Sequence, residues 1–197
     1  MITIMITLVT GATRSGKSEW AEHLAMRSQK NVIYIATATR YADDAEWEAR
    51  LQKHYDRRPE SWQVLEVPIE LAQAILDLAS NSSNYILVDS LGTWLANLLD
   101  KDEEEWAKIE HELLQVIQTC IVENELLHAV QGCIVDITFV AEEVGWGIVP
   151  AYELGRTFRD RLGGLSRKIG AIADAVYLVT GGYAVNLTQI GERLPSS

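Results

Sequence analysis

Gly11-Ala12-Thr13-Arg14-Ser15-Gly16-Lys17-Ser18 has the spacing G-x-x-x-x-G-K-S. These residue types suit phosphate chemistry. Gly11 and Gly16 permit backbone angles at which successive N–H groups turn toward phosphate oxygens. Lys17 can reach β and γ phosphates, and the Ser18 hydroxyl can ligate Mg2+. A helix opening near Lys17 would add its positive N-terminal end. A Gly/Ser-rich turn can show the same letters by chance, so context decides. Residues 4–9 form an apolar run before the loop and 19–27 an amphipathic run after it. Strand, glycine loop and helix, in that order, are what a phosphate loop requires.

Asp89 closes a second apolar run, Tyr85-Ile86-Leu87-Val88. A carboxylate at that strand end can complete the metal site begun by Ser18, and ligands of parallel sheets bind beyond the carboxyl ends of the strands. The plainer reading of Asp89 is a cap for the helix that follows.

Arg50, His54, Arg57 and Arg58 fall on one face of a helix expected over 45–57. Neighbouring cations favour a neutral imidazole. Such a group is a nucleophile, and the arginines can hold the phosphate it attacks. From spacing alone, a solvated basic face paired with Glu46, Glu48 and Asp56 is the simpler reading. Glu142-Glu143-Val144-Gly145-Trp146-Gly147 follows a strand expected over 132–141. Glycines beside Trp146 suggest a loop that approaches a ligand, and Glu143 can orient a hydroxyl or act as base. Arg156, Arg159, Arg161, Arg167 and Lys168 make a basic segment, read equally as a phosphate or subunit contact or as a solvated face.

The elements that must position these residues alternate. Strands are expected at 4–9, 31–36, 62–67, 85–89, 132–141 and 175–180. Helices are expected at 19–27, 45–57, 68–79, 92–99, 102–127 and 151–173. Within the acidic helix 102–127, Leu113, Val116, Ile117 and Cys120 mark the buried side. This order implies an α/β fold, a mostly parallel sheet with helices on both faces. Without repeats or a dividing linker, residues 1–197 read as a single nucleotide-binding domain.

A formal net charge of −11 argues against nonspecific nucleic-acid binding and against an anionic membrane surface. Cys120 and Cys133 form no C-x-x-C pair, as expected of a reduced cytoplasmic protein. The apolar start is too short to span a bilayer and runs straight into the loop. Met5 is a second candidate for the natural start.

Taken together, the motifs resemble the bifunctional adenosylcobinamide kinase / adenosylcobinamide-phosphate guanylyltransferase family of cobalamin biosynthesis. The matching pieces are Val9 through Ser18, Tyr34-Ile35-Ala36-Thr37, Arg50 through His54 with Arg57-Arg58-Pro59, and Trp62 with Glu66. Leu87-Val88-Asp89 follows with Trp94-Leu95 and Asn97-Leu98, then Glu143-Val144-Gly145 with Gly147-Ile148-Val149-Pro150, and Phe158-Arg159-Asp160 with Gly163. The resemblance runs essentially end to end. It implies a RecA-like phosphate-loop sheet and two reactions: phosphorylation of adenosylcobinamide with ATP or GTP, then GMP transfer from GTP to the phosphorylated corrinoid. It implies Mg2+, a guanylylated histidine at His54, and nucleotide contacts from the loop residues, Arg50, Arg57, Arg58, Glu66 and Asp89. It also implies a homo-oligomer, typically a trimer, with active sites near subunit contacts. Departures from the family pattern are Glu142 where Asn is usual, Ser166-Arg167 for Asn-Gln, Trp47 for Met, and Ala12 for the loop's second glycine. Competing expectations are a phosphate-loop kinase of another small alcohol and a nucleotide-switch binding module.

Overall fold

The structure, a computed structural model, describes residues 5–39, 58–79, 84–127 (backbone alone from 121) and 135–195. The expected helix over 45–57, with Arg50, His54 and Arg57, lies outside the described residues, as do His128 and Cys133.

Strand β1, Ile6–Gly11, runs into helix α1, Lys17–Arg27, and β2 spans Asn31–Ala36. Next come β3, Gln63–Glu66, α2, Leu71–Ala79, and β4, Asn84–Asp89. Helix α3, Leu91–Ala96, and the long α4, Glu103–Leu127, precede β5, Asp136–Glu142. Helix α5, Glu153–Ile172, leads to β6, Ala175–Thr180, β7, Tyr183–Asn186, and the short α6, Leu187–Ile190.

The strands form one seven-stranded sheet in the order β3-β2-β4-β5-β1-β6-β7. Every pairing is parallel except β6 with β7. The β-branched and aromatic runs explain the burial, since a sheet covered on both faces needs continuous apolar strands. On one face Ile35, Ile86, Val88, Ile137 and Phe139 meet Leu71 and Ile75 of α2, Trp94 of α3, Leu113 and Ile117 of α4, and Leu162 and Ile169 of α5. On the other, Val9, Tyr34, Leu87 and Val140 meet Ala21 and Ala25 of α1. The small residues of α1 let it lie close against the sheet. Each fully buried Leu or Ile contributes about 1.5–3 kcal/mol, so these faces fix the register on which the site depends.

Some sequence expectations shift. Glu142 belongs to β5 rather than to the loop after it, because the ladder with β1 continues to Gly11↔Glu142. The 62–67 and 68–79 elements shorten to β3 and α2. Strand β7 was not expected; Gly181 and Gly182, with φ of 58° and 82°, turn the chain back along β6. Helix α5 is unbroken: a Cβ on Gly163 or Gly164 would meet nothing, whereas Gly170 packs near Leu8. The buried side of α4 includes Leu113, Ile117 and Cys120 as expected, but Glu110 is also buried, bonded to Lys168 at 2.6 Å.

Candidate active site

The carboxyl ends of β1, β4 and β5 converge beside the start of α1. Strand β5 lies between the other two, in register with both: Gly11↔Glu142 and Asp89↔Val140. The loop from Gly11 to Ser18 thus faces Asp89 across one intervening strand.

Within the loop, Ala12, Thr13 and Arg14 are exposed, and Ser15 N donates to Ala12 O at 3.2 Å. Arg14 and Gly16 take positive φ, 60° and 92°. Gly16 is the N-cap of α1, and its carbonyl accepts from Trp20 N at 2.9 Å. Gly11 is required sterically, since a Cβ would lie 2.5 Å from Val179 O of the neighbouring strand β6. The Ser15 hydroxyl is buried without a hydrogen bond. Lys17 is 8% exposed, its ammonium 3.5 Å from Ala12 O and 3.9 Å from Glu142 Oε1.

Ser18 Oγ donates to Asp89 Oδ1 at 3.3 Å, and Tyr34 Oη donates to Asp89 Oδ2 at 2.7 Å. The guanidinium of Arg58 lies 3.4 Å above the Tyr34 ring centroid, a cation–π contact. Burial, then the Asp89 charge, pushes the Tyr34 phenol well above its ordinary value, although Arg58 opposes the shift. The phenol therefore stays a donor. Glu66, exposed at the end of β3, stands in register with Ala36, which in turn pairs with Asp89. Residues Glu66 and Asp89 therefore share the carboxyl edge of the sheet.

Glu142 and Glu143 have different tasks. Glu142 Oε2 accepts from Gly92 N at 3.0 Å. Burial raises the Glu142 carboxyl above its ordinary range, and the opposing pull of Lys17 does not cancel this. Glu143 Oε1 accepts from Thr10 Oγ1 at 2.7 Å, and Glu143 N donates to Gly11 O at 2.9 Å. Beyond them the chain through Trp146, Ile148, Val149 and Tyr152 exposes apolar side chains. Arg156 holds its far end through Pro150 O and Ala151 O, and Arg159 holds Gly145 O at 2.8 Å. Arg161 is buried and donates to Lys101 O at 2.9 Å. These cations of the basic segment are thus engaged inside the fold.

Behind Asp89, Ser90 caps α3 in a capping box with Thr93. Thr37 Oγ1 donates to Ser90 O at 2.7 Å, and Asn97 Nδ2 donates to Thr37 O and Pro68 O at 2.8 and 3.0 Å. Sequence reading missed the parts played by Tyr34 and Asn97. A signal existed for the first: a tyrosine in an aliphatic strand needs a partner for its hydroxyl.

Among the described residues no group of three or more His, Cys, Asp or Glu is arranged to hold a metal. The Ser18–Asp89 pair is a different kind of donor set: hard oxygens, one hydroxyl and one carboxylate. That fits a Mg2+ ion that takes its remaining ligands from phosphates and water. Also among the described residues, no helix is long and apolar enough to cross a membrane.

Comparison with known proteins agrees with the geometry. The family model described as cobinamide kinase / cobinamide phosphate guanyltransferase matches residues 7–187. A bifunctional adenosylcobalamin biosynthesis protein of Salmonella typhimurium is 39% identical over 191 residues, covering 93% of this chain and 99% of that one. Proteins of the same description from Escherichia coli K12 and Pseudomonas aeruginosa are 36% and 37% identical, covering 93% of this chain and 99% and 97% of theirs. A solved structure from Pyrococcus horikoshii OT3 superposes with a TM-score of 0.55 over 98% of this chain and 92% of that one, at 8% identity. That likeness concerns the fold alone, a mostly parallel sheet with helices packed on both faces. With the loop, its partner carboxylate and the match over residues 7–187 all in agreement, the chain belongs to the cobinamide kinase / cobinamide phosphate guanyltransferase family.

Proposed function

We propose that this chain phosphorylates the aminopropanol hydroxyl of adenosylcobinamide with ATP or GTP, then transfers GMP from GTP to that phosphate through His54. The products of the second step are adenosylcobinamide-GDP and pyrophosphate. The observation that carries the reading is the meeting of Ser18 with Asp89 at 3.3 Å beside a buried Lys17, in a chain that matches the family from residue 7 to 187.

In the kinase step the corrinoid hydroxyl attacks the γ phosphorus, the bond to the β–γ bridging oxygen breaks, and the nucleoside diphosphate leaves. Glu143, oriented by Thr10, takes the hydroxyl proton in this reading. The backbone of Gly11, Ala12, Thr13, Arg14, Ser15 and Gly16 cradles the phosphates, and Lys17 neutralises charge on the β and γ groups. The buried Ser15 hydroxyl, without a protein partner, supports a phosphate oxygen as its acceptor. Ser18 and Asp89 would hold Mg2+, whose bound form neutralises phosphate charge.

In the transfer step a neutral His54 nitrogen attacks the α phosphorus and pyrophosphate leaves. The phosphate of the phosphorylated corrinoid then attacks the resulting phosphoramidate and regenerates the imidazole. Arg50, Arg57, Arg58 and Glu66 complete the proposed nucleotide contacts. The exposed apolar stretch from Trp146 to Leu154 supports a homo-oligomer, with a trimer as the expected count. A cytoplasmic location belongs to the same proposal.

The test uses GTP labelled at the α or at the γ phosphate, with Mg2+, on the wild type and on His54→Ala. Acid-labile, base-stable label from the α position alone, lost in the variant, is expected. Wild-type protein that binds GTP yet retains no α label would refute the transferase half.

A further inference from the structure

Asp89 is held at both ends of its carboxylate. Oδ1 receives the Ser18 hydroxyl at 3.3 Å, a long bond, whereas Oδ2 receives the Tyr34 hydroxyl at 2.7 Å, a short one. The stronger constraint on the carboxylate therefore comes from the tyrosine. Tyr34 is well placed to impose it. It lies in β2, paired with Leu87 of β4, and its ring is packed in the core on the α1 face with 2% exposure. A planar side chain buried in this way has few rotamers left, so its hydroxyl is a fixed point. The Arg58 guanidinium closes the ring from above at 3.4 Å. A cation over the ring draws electron density from the phenol and strengthens its hydroxyl as a donor.

We propose that Tyr34 is a positioning residue for the metal site: its hydroxyl fixes Oδ2 of Asp89 so that Oδ1 stays turned toward Ser18. Without that hydroxyl the carboxylate can rotate about its Cβ–Cγ bond, a broad and soft torsion. The pair of oxygens offered to a divalent cation would then have to be ordered on binding. Metal affinity falls, while the phosphate cradle, built from backbone of residues 11–17, is unaffected. The role rests on the proposed reading of Asp89 as a carboxylate of the Mg2+ site, so the experiment carries Asp89→Asn as its control.

Binding of Mn2+ is followed by the loss of its free electron paramagnetic resonance signal, using full-length protein with the α,β-methylene analogue of GTP. That analogue blocks guanylyl transfer, and no acceptor is present. Tyr34→Phe should weaken Mn2+ binding about tenfold, the scale of one lost hydrogen bond to a charged group. Binding of the analogue in EDTA should change by less than about twofold, since the loop N–H groups supply it. In turnover assays the Mg2+ activation constant should rise by a similar factor, with kcat recovered at saturating Mg2+.

Two results overturn the proposal. In the first, Asp89→Asn weakens Mn2+ binding but Tyr34→Phe does not. In the second, Tyr34→Phe lowers metal-free analogue binding and metal binding alike, as general loosening of the core would. If Asp89→Asn itself leaves Mn2+ binding unchanged, the metal role of Asp89 fails first and the role of Tyr34 falls with it.

Discussion

Glu142 Oε1 lies 3.9 Å from Lys17 Nζ while its other oxygen accepts the Gly92 N–H at 3.0 Å. The lysine proposed to meet the phosphates thus has a carboxylate neighbour built into the strand between β1 and β4. Two charges about 4 Å apart interact with roughly 4 kcal/mol at an effective dielectric near 20. That attraction to Lys17 does not win, because burial still leaves the Glu142 carboxyl raised from its ordinary 4.5. An arriving phosphate would compete for Lys17 and repel the carboxylate together.

Glu142→Gln should therefore bind nucleotide more tightly in the absence of metal, by about fivefold to tenfold. The variant keeps a carbonyl for the Gly92 N–H and removes only the charge. In the wild type, bound phosphates raise the Glu142 carboxyl further, so binding takes up protons and strengthens as pH falls toward its raised value. Calorimetry in buffers of different ionisation enthalpy should detect that uptake, and Glu142→Gln should lack it. Stability has the same sign. A carboxyl raised by folding contributes stability below its unfolded value of 4.5, and this is lost as pH rises through the higher folded value. Denaturation of Glu142→Gln should lose this slope.

Gly92→Ala tests the same contact from the other side. An added Cβ would overlap Glu142 Oε2, with Glu142 Cδ at 2.8 Å and Leu162 Cδ2 at 3.5 Å. The obstacle is the end of a side chain that can swing away, so the chain should fold. It would lose about 1–3 kcal/mol, the cost of an N–H bond to a charged group. With the carboxylate displaced, metal-free nucleotide binding should tighten much as in Glu142→Gln, and the double variant should be no tighter than either. Gly11→Ala should behave differently. Its Cβ meets a backbone carbonyl, Val179 O, at 2.5 Å, and relieving that contact means parting β1 from β6. Loss of about 1–3 kcal/mol is expected from the overpacking, together with weaker nucleotide binding. Urea midpoints and nucleotide titrations of the two variants would separate these cases.

The glycine loop was legible because its residue types and spacing are ones little else demands, and Asp89 was legible as the last residue of an obvious strand, its part in a metal site being the proposal. The sheet followed from the same strands. Glu142 was legible as a departure but not as a strand residue, since only pairing with Gly11 extends β5 that far. The short edge strand β7 packs too few apolar residues to announce itself, although Gly181-Gly182 was a hairpin signal. Arg156 and Arg159 show the limit of charge patterning. A helical arginine has the same letter whether it faces water or, as here, the carbonyls of Pro150, Ala151 and Gly145. The letters around Tyr34 signalled that its hydroxyl needs a partner but not that the partner is Asp89, and no local pattern encodes the contacts of Asn97 with Thr37 and Pro68.

Asn97 offers a measure of how the proposed transfer step depends on such contacts. Its amide donates to Thr37 O and Pro68 O, at 2.8 and 3.0 Å, and its carbonyl accepts from Thr39 Oγ1 at 2.9 Å. One side chain just beyond α3 therefore ties together the exits of β2 and β3. Thr37 is fully buried, so Asn97→Ala would leave its carbonyl without water or partner. A loss of about 1–3 kcal/mol is expected. Asn97→Asp should be worse near neutral pH, because a carboxylate would face two carbonyl oxygens. Its carboxyl would be raised in the folded state, so acid should restore part of the loss as the protonated group donates to one of them. Residues 37–39 lead directly into the segment that carries His54, whereas the phosphate loop hangs on β1 and α1. Guanylylation from α-labelled GTP should therefore fall more in Asn97→Ala than γ-phosphoryl transfer to the corrinoid. Equal losses in both reactions would show that Asn97 supports the sheet edge as a whole, with no selective hold on the transfer segment.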